Sequence, residues 1–255
     1  PGEHTFHGRS LVPLLHGESV DWNDRILVTD SQRVATPIKW RKSAAMSGSW
    51  RLINGRELYD LRSDPEQHYD CAADYPAVVA RLRQGYERWW DEVSVQFEST
   101  IPIPIGRKVG KSVRLTSHDW RNYPVECAWN QSMVRAGAIC NGHWEIDVAA
   151  PGRYRLELRR WPQEQETAMT DGIAGPLKPF TSAIKEGWGG GRALPLERAA
   201  LRVGSLEMES PVASGDGCVA FVADLPAGEA RLQTYLTDDD GTTLGAYYVY
   251  VERLS

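Results

Sequence analysis

The pattern of apolar and polar positions in the first part of the chain predicts short strands. Arg25 to Asp30 is typical of a buried strand, and Lys39 to Met46 of a second one. Two further short apolar-rich runs flank Asn54-Gly55. This dipeptide favours a type I′ hairpin, because both central residues of such a turn need positive φ. Residues 25–60 therefore predict a small antiparallel sheet.

One amphipathic helix is predicted after this sheet. Pro76 suits the first turn of a helix, where its fixed φ is compatible with the helical backbone. Apolar residues then recur at helical spacing: Val78, Val79, Leu82, Tyr86, Trp89, Trp90 and Val93. The stripe predicts a helix of about five turns that lies on the sheet. Because one helix covers one face, we expect the other face of the sheet to pack on a further surface.

From about residue 101 the pattern changes to a period of two. The alternating prolines of the run from Ile101 to Ile105 predict a stiff linker, since proline prevents a helix. Many short alternating runs with turn residues between them follow, which is typical of a β-sandwich. A long irregular stretch at about residues 162–197 interrupts them, and loops of this length are often functional.

The predicted fold class is therefore α+β. Residues 1–100 are expected to form a small antiparallel sheet with one covering helix. Residues 101–255 are expected to form an all-β, sandwich-like accessory domain that carries the long loop. This division agrees with the length of 255 residues, since domains usually span about 100–200 residues.

Composition excludes several classes of protein. The net charge of −5 argues against a general nucleic-acid binder, because contacts to phosphates need a basic face. No stretch reaches the ~18 uninterrupted apolar residues that a membrane span needs. The hydrophobic fraction of 42% excludes disorder as the main state. The chain begins Pro1-Gly2-Glu3 without Met or a leader, which we interpret as a cut end.

Few motifs point to metal binding or phosphate binding. The glycine-rich run from Gly187 to Arg192 lacks the Lys-Ser/Thr ending of a phosphate-binding loop. The run from Asp238 to Gly241 lacks the distal glutamate of a calcium loop, so we interpret it as a hairpin turn. None of the four cysteines stands in a Cys-x-x-Cys pair, so a structural zinc site is not expected. The spacing of Cys127 and Cys140 leaves open a disulfide across a hairpin.

Two residue sets are candidates for ligand binding. The polar loop from Gln32 to Pro37, followed by Lys39 and Arg41, is the best cationic cluster on a loop, and it suits an anionic oxyacid group. An ordinary solvated loop is the alternative interpretation. The chain also contains ten tryptophans, whose flat rings can stack on sugars, although filling a core is their commoner use.

The first ninety residues resemble a known enzyme family. The stretches that carry the resemblance occur in an order and spacing that is specific as a set: Gly8 to Gly17, Ser49 to Leu61, Asp64-Pro65-Glu66 and Pro76 to Trp90. Together they resemble the C-terminal end of a type I sulfatase, in the arylsulfatase branch of the alkaline phosphatase-like superfamily. The resemblance implies a subdomain that packs on a large α/β core. Other stretches resemble the β-rich tail of some bacterial sulfatases: Leu115 to Trp120, Leu158 to Pro162 and Ala246 to Val249.

The resemblance also implies where catalysis takes place. Sulfatases hydrolyse sulfate esters with a formylglycine, made from Cys or Ser in a Cys/Ser-x-Pro-x-Arg motif, and with a calcium ion held by Asp and Asn. No cysteine or serine of this chain stands in that motif. We therefore expect calcium and formylglycine in an N-terminal sulfatase core, upstream or on a separate chain. Neither a catalytic residue nor a metal ligand is expected here, and this chain alone should be inactive.

By analogy with the family, Gln32, Arg33 and Lys39 are expected to contact the substrate, with Trp188 of the long loop as a stacking ring. The expected substrate is a sulfate ester of a carbohydrate, and family habit indicates a periplasmic or secreted protein. The alternative is a non-catalytic carbohydrate-binding or adaptor module, with tryptophans as stacking platforms. A phosphatase or phosphodiesterase relative on the same scaffold is a third possibility.

Overall fold

The computed structural model describes residues 7–20, 25–32, 34, 36–121, 127–175 and 189–255. The chain divides into two compact units, residues 1–99 (unit 1) and residues 100–255 (unit 2). Unit 1 combines strands with a long helix, and strands dominate unit 2, which confirms the predicted α+β class. None of the described helices is long and apolar enough to cross a bilayer.

Unit 1 is a four-stranded antiparallel sheet with one long helix against it. A short helix, α1 (Val12–Leu15), precedes the sheet, and the strands then follow in chain order: β1 (Leu27–Asp30), β2 (Ser43–Ser47), β3 (Trp50–Ile53) and β4 (Glu57–Asp60). The long helix α2 (Pro76–Ser94) begins at the predicted proline and packs on β2 and β3. The predicted small sheet and its covering helix are thus confirmed.

The predicted strand from Lys39 to Met46 begins later than expected. Residues 39–42 form turns, and only Ser43–Ser47 pairs with its neighbours. The physical reason is the backbone, because Trp40 and Lys42 have φ of 66° and 49°, which no strand accommodates.

The β3–β4 connection is the predicted type I′ turn. Asn54 and Gly55 have φ of 50° and 68°. The turn also needs a glycine for space, since a Cβ on Gly55 would lie 2.7 Å from the ring of Trp40. That ring in turn stacks on Tyr86 of α2, with 3.7 Å between the ring centroids. The hairpin and the helix therefore meet through one aromatic stack.

Unit 2 is a β-sandwich of two sheets. The larger sheet has the spatial order β10 (Leu206–Pro211), β9 (Leu196–Val203), β12 (Gly228–Asp238), β7 (His143–Val148) and β5 (Ile103–Ile105), with β13 (Thr243–Leu244) paired to β12. The smaller sheet has the order β11 (Val219–Leu225), β8 (Gly152–Arg159), β14 (Tyr248–Arg253) and β6 (Ser112–Thr116). One core contains inward side chains of both sheets, such as Trp144, Leu201, Leu156 and Phe221. A short helix, α3 (Gln131–Ala136), lies between β6 and β7.

The prediction of a linker at residues 101–105 is wrong for its second half. Ile103–Ile105 forms β5, which pairs in parallel with β7 at the edge of the larger sheet. An edge strand tolerates Pro104. Proline has no N–H, and at a position that faces away from the neighbouring strand no ladder hydrogen bond is lost.

The predicted long loop joins β8 to β9, and its two ends are tied together. Ile173 and Gly191 form an isolated bridge, and Leu194 N–H donates to the carbonyl of Thr170 at 2.9 Å. Arg160 is fully buried beside this closure. Its guanidinium donates to three backbone carbonyls, those of Met169, Asp171 and Arg192. Burial without a carboxylate partner lowers the pKa of Arg160 to about 10.

Candidate functional site

The side chain of Gln32, a residue that is predicted to contact substrate, forms hydrogen bonds to its own chain segment. Its buried side chain donates to the Asp30 carboxylate at 2.8 Å and to the carbonyl of Ile38 at 2.7 Å. Its amide oxygen accepts from the backbone N–H of Ile38 at 2.6 Å. Arg41 donates to the backbone carbonyl of Gln32 at 2.9 Å. These bonds join Gln32 to Ile38 and Arg41, directly after β1.

Lys39 follows this segment and pairs with the helix. Its ammonium group forms an ion pair with Glu87 of α2, whose carboxylate also accepts from the indole of Trp40 at 3.2 Å. The hydrogen bond to Glu87 raises the pKa of Lys39. The assignment of Gln32 and Lys39 to substrate contact stays a prediction. Arg33 and Trp188, the other two residues of that assignment, lie outside the described residues.

A cavity of about 300 Å³ opens at one edge of the larger sheet of unit 2. It is lined by the following side chains: Ile101, Ile103, His118, Asp119, Trp120, Arg121 and Glu145. A short 3₁₀ turn, Ser117–Asp119, follows β6 and directs the chain towards β7. There Arg121 forms an isolated bridge with His143, with N···O distances of 2.8 and 3.3 Å. This bridge brings the turn beside Glu145, which lies on β7.

The two carboxylates of this cavity each use one oxygen within the protein. Glu145 accepts through Oε1 from Arg231 at 2.9 Å, and the same oxygen lies 3.1 Å from Nε2 of His143. Asp119 accepts through Oδ2 from the hydroxyl of Thr116 at 3.0 Å. Within the described ranges, Oε2 of Glu145 and Oδ1 of Asp119 have no hydrogen-bond partner.

His118 and Arg121 add nitrogen-bearing polar side chains to the described lining of the cavity. Neither the imidazole of His118 nor the guanidinium of Arg121 has a side-chain partner in the part of the chain that the structure describes. The cavity therefore combines unused acceptors with unused donors. Ile101, Ile103 and Trp120 form its apolar wall. Trp120 is only 5% exposed and packs 5.6 Å from the ring of Trp144, so it supports the wall from the core.

Sequence reasoning did not find this cavity. His118 and Asp119 lie in an exposed 3₁₀ turn, and a turn of this kind has no sequence pattern that indicates a binding site. Glu145 and Ile103 lie on different strands, and no local pattern shows that they meet the turn. The alternating Trp144, Ile146 and Val148 indicate only that Glu145 points away from the core.

A second cavity, of about 380 Å³, lies beside the turn from Asp238 to Gly241. The turn joins β12 to β13, as the hairpin prediction requires. Burial and the neighbouring Asp240 raise the pKa of Asp238. Among the described residues, no three His, Cys, Asp or Glu side chains are arranged to hold a metal ion. The structure shows no disulfide between Cys127 and Cys140, two residues that it describes.

The cofactors that the family resemblance implies do not fit the residues of this chain. Formylglycine needs a Cys/Ser-x-Pro-x-Arg motif, which the sequence lacks. Calcium needs a group of oxygen ligands, and the described residues offer no three-residue acidic group for it. No chemical step of this chain is therefore derived through either one.

Comparison with known proteins leaves the family open. No family model matches the chain, and no curated protein matches it. Solved structures with some similarity include a ruminal GH26 endo-β-1,4-mannanase, at 10% identity over 58% of this chain and with a TM-score of 0.30. This match spans 27% of the mannanase chain.

Two carbohydrate-binding modules are similar to the same degree. One is a family 35 carbohydrate-binding module from Clostridium thermocellum, at 13% identity, 56% coverage of this chain, 98% coverage of the module and a TM-score of 0.28. The other is CBM35 from Cellvibrio japonicus Abf62, at 12% identity, 55% and 92% coverage and a TM-score of 0.29. Similarity at this level establishes neither a common fold nor a common ligand.

Proposed function

We propose that this chain is the non-catalytic C-terminal portion of a sulfatase that acts on a sulfated carbohydrate. In this proposal unit 1 packs on the catalytic core, and the segment around Gln32 shapes the substrate pocket. The nucleophile and the calcium ion belong to the core. The observation that supports the proposal is the sheet of unit 1, because α2 covers only one of its two faces.

The covered face and the outer face of this sheet differ in burial. Ala45, Leu52 and Leu58 point towards α2 and are fully buried. Their neighbours along the strands point the other way and are half-buried or exposed: Leu27, Thr29, Ala44, Met46, Arg51, Ile53, Glu57 and Tyr59. A water-facing side of an antiparallel sheet usually carries polar residues, whereas this face also carries the apolar side chains of Leu27, Met46 and Ile53.

The outer face is also continuous across the sheet. Leu27 pairs with Met46, Met46 with Arg51, and Arg51 with Tyr59, so their side chains form one row over all four strands. Leu27, at the end of this row, is 44% exposed. Covering such a row removes apolar area from water, worth roughly 25 cal/mol per Å². A catalytic core packed on this face would provide that cover.

A charge on the outer face tests the proposal. The full chain is co-expressed with the sulfatase core polypeptide that carries the Cys/Ser-x-Pro-x-Arg motif, and association is measured by co-purification and calorimetry. Met46→Glu should weaken association at least tenfold, because burial of the new carboxylate requires its desolvation. Its circular dichroism spectrum should stay unchanged, since the position is not in the core.

The matched control is Val222→Glu. Val222 is 40% exposed and lies on β11 of unit 2, so it carries the same substitution on a strand of the other unit. This variant should associate as the unmodified chain does. Association of the Met46→Glu chain at unchanged affinity would contradict the proposal.

A second candidate function is carbohydrate binding by unit 2 without a catalytic partner. The cavity beside Arg121 and Glu145 favours it, since a sugar needs hydrogen-bond donors, acceptors and an apolar surface in one place. Calorimetry of the full chain against oligosaccharides tests it, and absence of binding to all of them would contradict it. The two candidates concern different units, so both can hold for one protein.

A further inference from the structure

We infer that the cavity beside Arg121 and Glu145 binds an uncharged sugar unit and discriminates against a sulfated one. The inference rests on the carbohydrate-binding function proposed above and assigns it a site and a ligand class. Four observations carry it: the cavity volume, the unused hydrogen-bonding groups, the balance of charge and the apolar wall.

The volume fits one small ligand. Binding sites for small molecules span about 300–1,000 Å³. At about 300 Å³ this cavity lies at the lower end of that range. It therefore accommodates one ring of a glycan, and the neighbouring rings would extend into solvent.

The unused groups match hydroxyls. Oδ1 of Asp119 and Oε2 of Glu145 are acceptors without a partner in the described ranges, and the guanidinium of Arg121 is a donor in the same situation. A sugar hydroxyl donates and accepts at once, so adjacent hydroxyls can satisfy a carboxylate and the guanidinium together. A sulfate group only accepts, and it would leave both carboxylate oxygens unsatisfied.

The charges of the cavity favour a neutral ligand. Among the described lining residues, Asp119 and Glu145 contribute two negative charges, whereas Arg121 contributes one positive charge. Arg231 is already paired with Glu145. A sulfate would gain one guanidinium contact and lie close to two carboxylates, so repulsion offsets much of the attraction. An uncharged ring avoids this repulsion.

The apolar wall provides the remaining surface. Ile101 is 77% exposed, and Ile103 also lines the cavity. The C–H face of a sugar ring can pack on these two side chains and remove them from water. Trp120, a further lining residue, is almost fully buried. In a sulfatase acting on a polysaccharide, this site would hold an unsulfated unit of the chain.

The specificity is tested with the full chain by calorimetry. The probes are galacto-, gluco- and manno-oligosaccharides, each prepared with and without a sulfate ester on the terminal ring. At least one neutral member should bind, and its sulfated counterpart should bind at least tenfold more weakly. Lack of binding by every probe would overturn carbohydrate binding itself. Equal or tighter binding of the sulfated form would overturn only the inference about ligand class.

The location is tested with matched variants. Arg121→Met should lower the affinity for the neutral ligand at least tenfold without changing the melting temperature, since the guanidinium has no partner in the described part of the chain. Arg198→Met is the control, because Arg198 lines the other cavity of the same sheet and should have no effect. Asp119→Asn should reduce the discrimination against sulfate. Unchanged affinity in Arg121→Met would place the sugar elsewhere and contradict the inference.

Discussion

At the scale of single residues, Gly55 combines two requirements that a side chain would violate. Its φ of 68° is a conformation that L residues rarely adopt, and the ring of Trp40 fills the space where a Cβ would be. The sequence indicates the first requirement through the Asn-Gly pair. It does not indicate the second, because Trp40 belongs to a different turn.

Gly55→Ala should therefore lower the free energy of unfolding by more than the strain of the left-handed backbone alone. The left-handed conformation costs about 1–2 kcal/mol in a non-glycine residue, and overpacking against the ring adds about 1–3 kcal/mol. Gly48→Ala is the control, since Gly48 has φ of 54° with open space where its Cβ would lie. The free energy of unfolding is measured in urea for both variants. Equal losses would show that the Trp40 contact does not contribute.

At the scale of elements, α2 packs on the sheet through a glycine as well as through its apolar stripe. Leu82, Gly85 and Tyr86 are its buried residues. The helical spacing indicates Leu82 and Tyr86 from sequence. Gly85 lies on the same face, and a Cβ there would lie 2.5 Å from Ile26. The close approach of helix and sheet at this point depends on the missing side chain.

Gly85→Ala should destabilise the protein even though alanine favours a helix by about 1 kcal/mol over glycine. Overpacking against Ile26 costs about 1–3 kcal/mol and exceeds that gain. Urea unfolding measures the change, and Gln84→Ala on the exposed side of the helix is the control. The double variant with Ile26→Ala should cost less than the sum of the single losses. A more stable Gly85→Ala chain would contradict this description of the contact.

At the scale of the whole molecule, the chain has a cavity for which we propose sugar binding, and its sequence does not contain the formylglycine motif that its resemblance implies. The formylglycine motif is absent from the sequence, and no metal-binding group occurs among the described residues. Both units therefore serve in recognition or docking in the proposals made here.

The purified chain should release no sulfate from 4-nitrophenyl sulfate, with or without added calcium. The physical reason is that a preformed nucleophile and a metal provide most of the rate acceleration in this chemistry. Ion chromatography of inorganic sulfate is the measurement, and the same chain assembled with the catalytic core is the positive control. Sulfate release by the chain alone, verified free of other polypeptides, would contradict the assignment of catalysis to the core.

Local sequence patterns were sufficient to predict most helices and strands. The type I′ turn follows from Asn54-Gly55, and α2 follows from Pro76 and the apolar stripe behind it, because turn and helix preferences act over a few residues. Runs that alternate with a period of two predict most strands of unit 2. Ile103–Ile105 is an exception, since pairing with β7 decides its conformation and β7 is distant in sequence.

The sequence by itself determined the α+β class, the one-helix sheet and the lack of a sulfatase nucleophile, since each depends on neighbouring residues or on a local motif. Only the tertiary structure decided that Gln32 binds its own loop and that Lys39 pairs with Glu87. It alone also brought Asp119, Arg121 and Glu145 around one cavity. The reason is that strand pairing joins residues far apart in the chain, and no periodicity records which strands become neighbours.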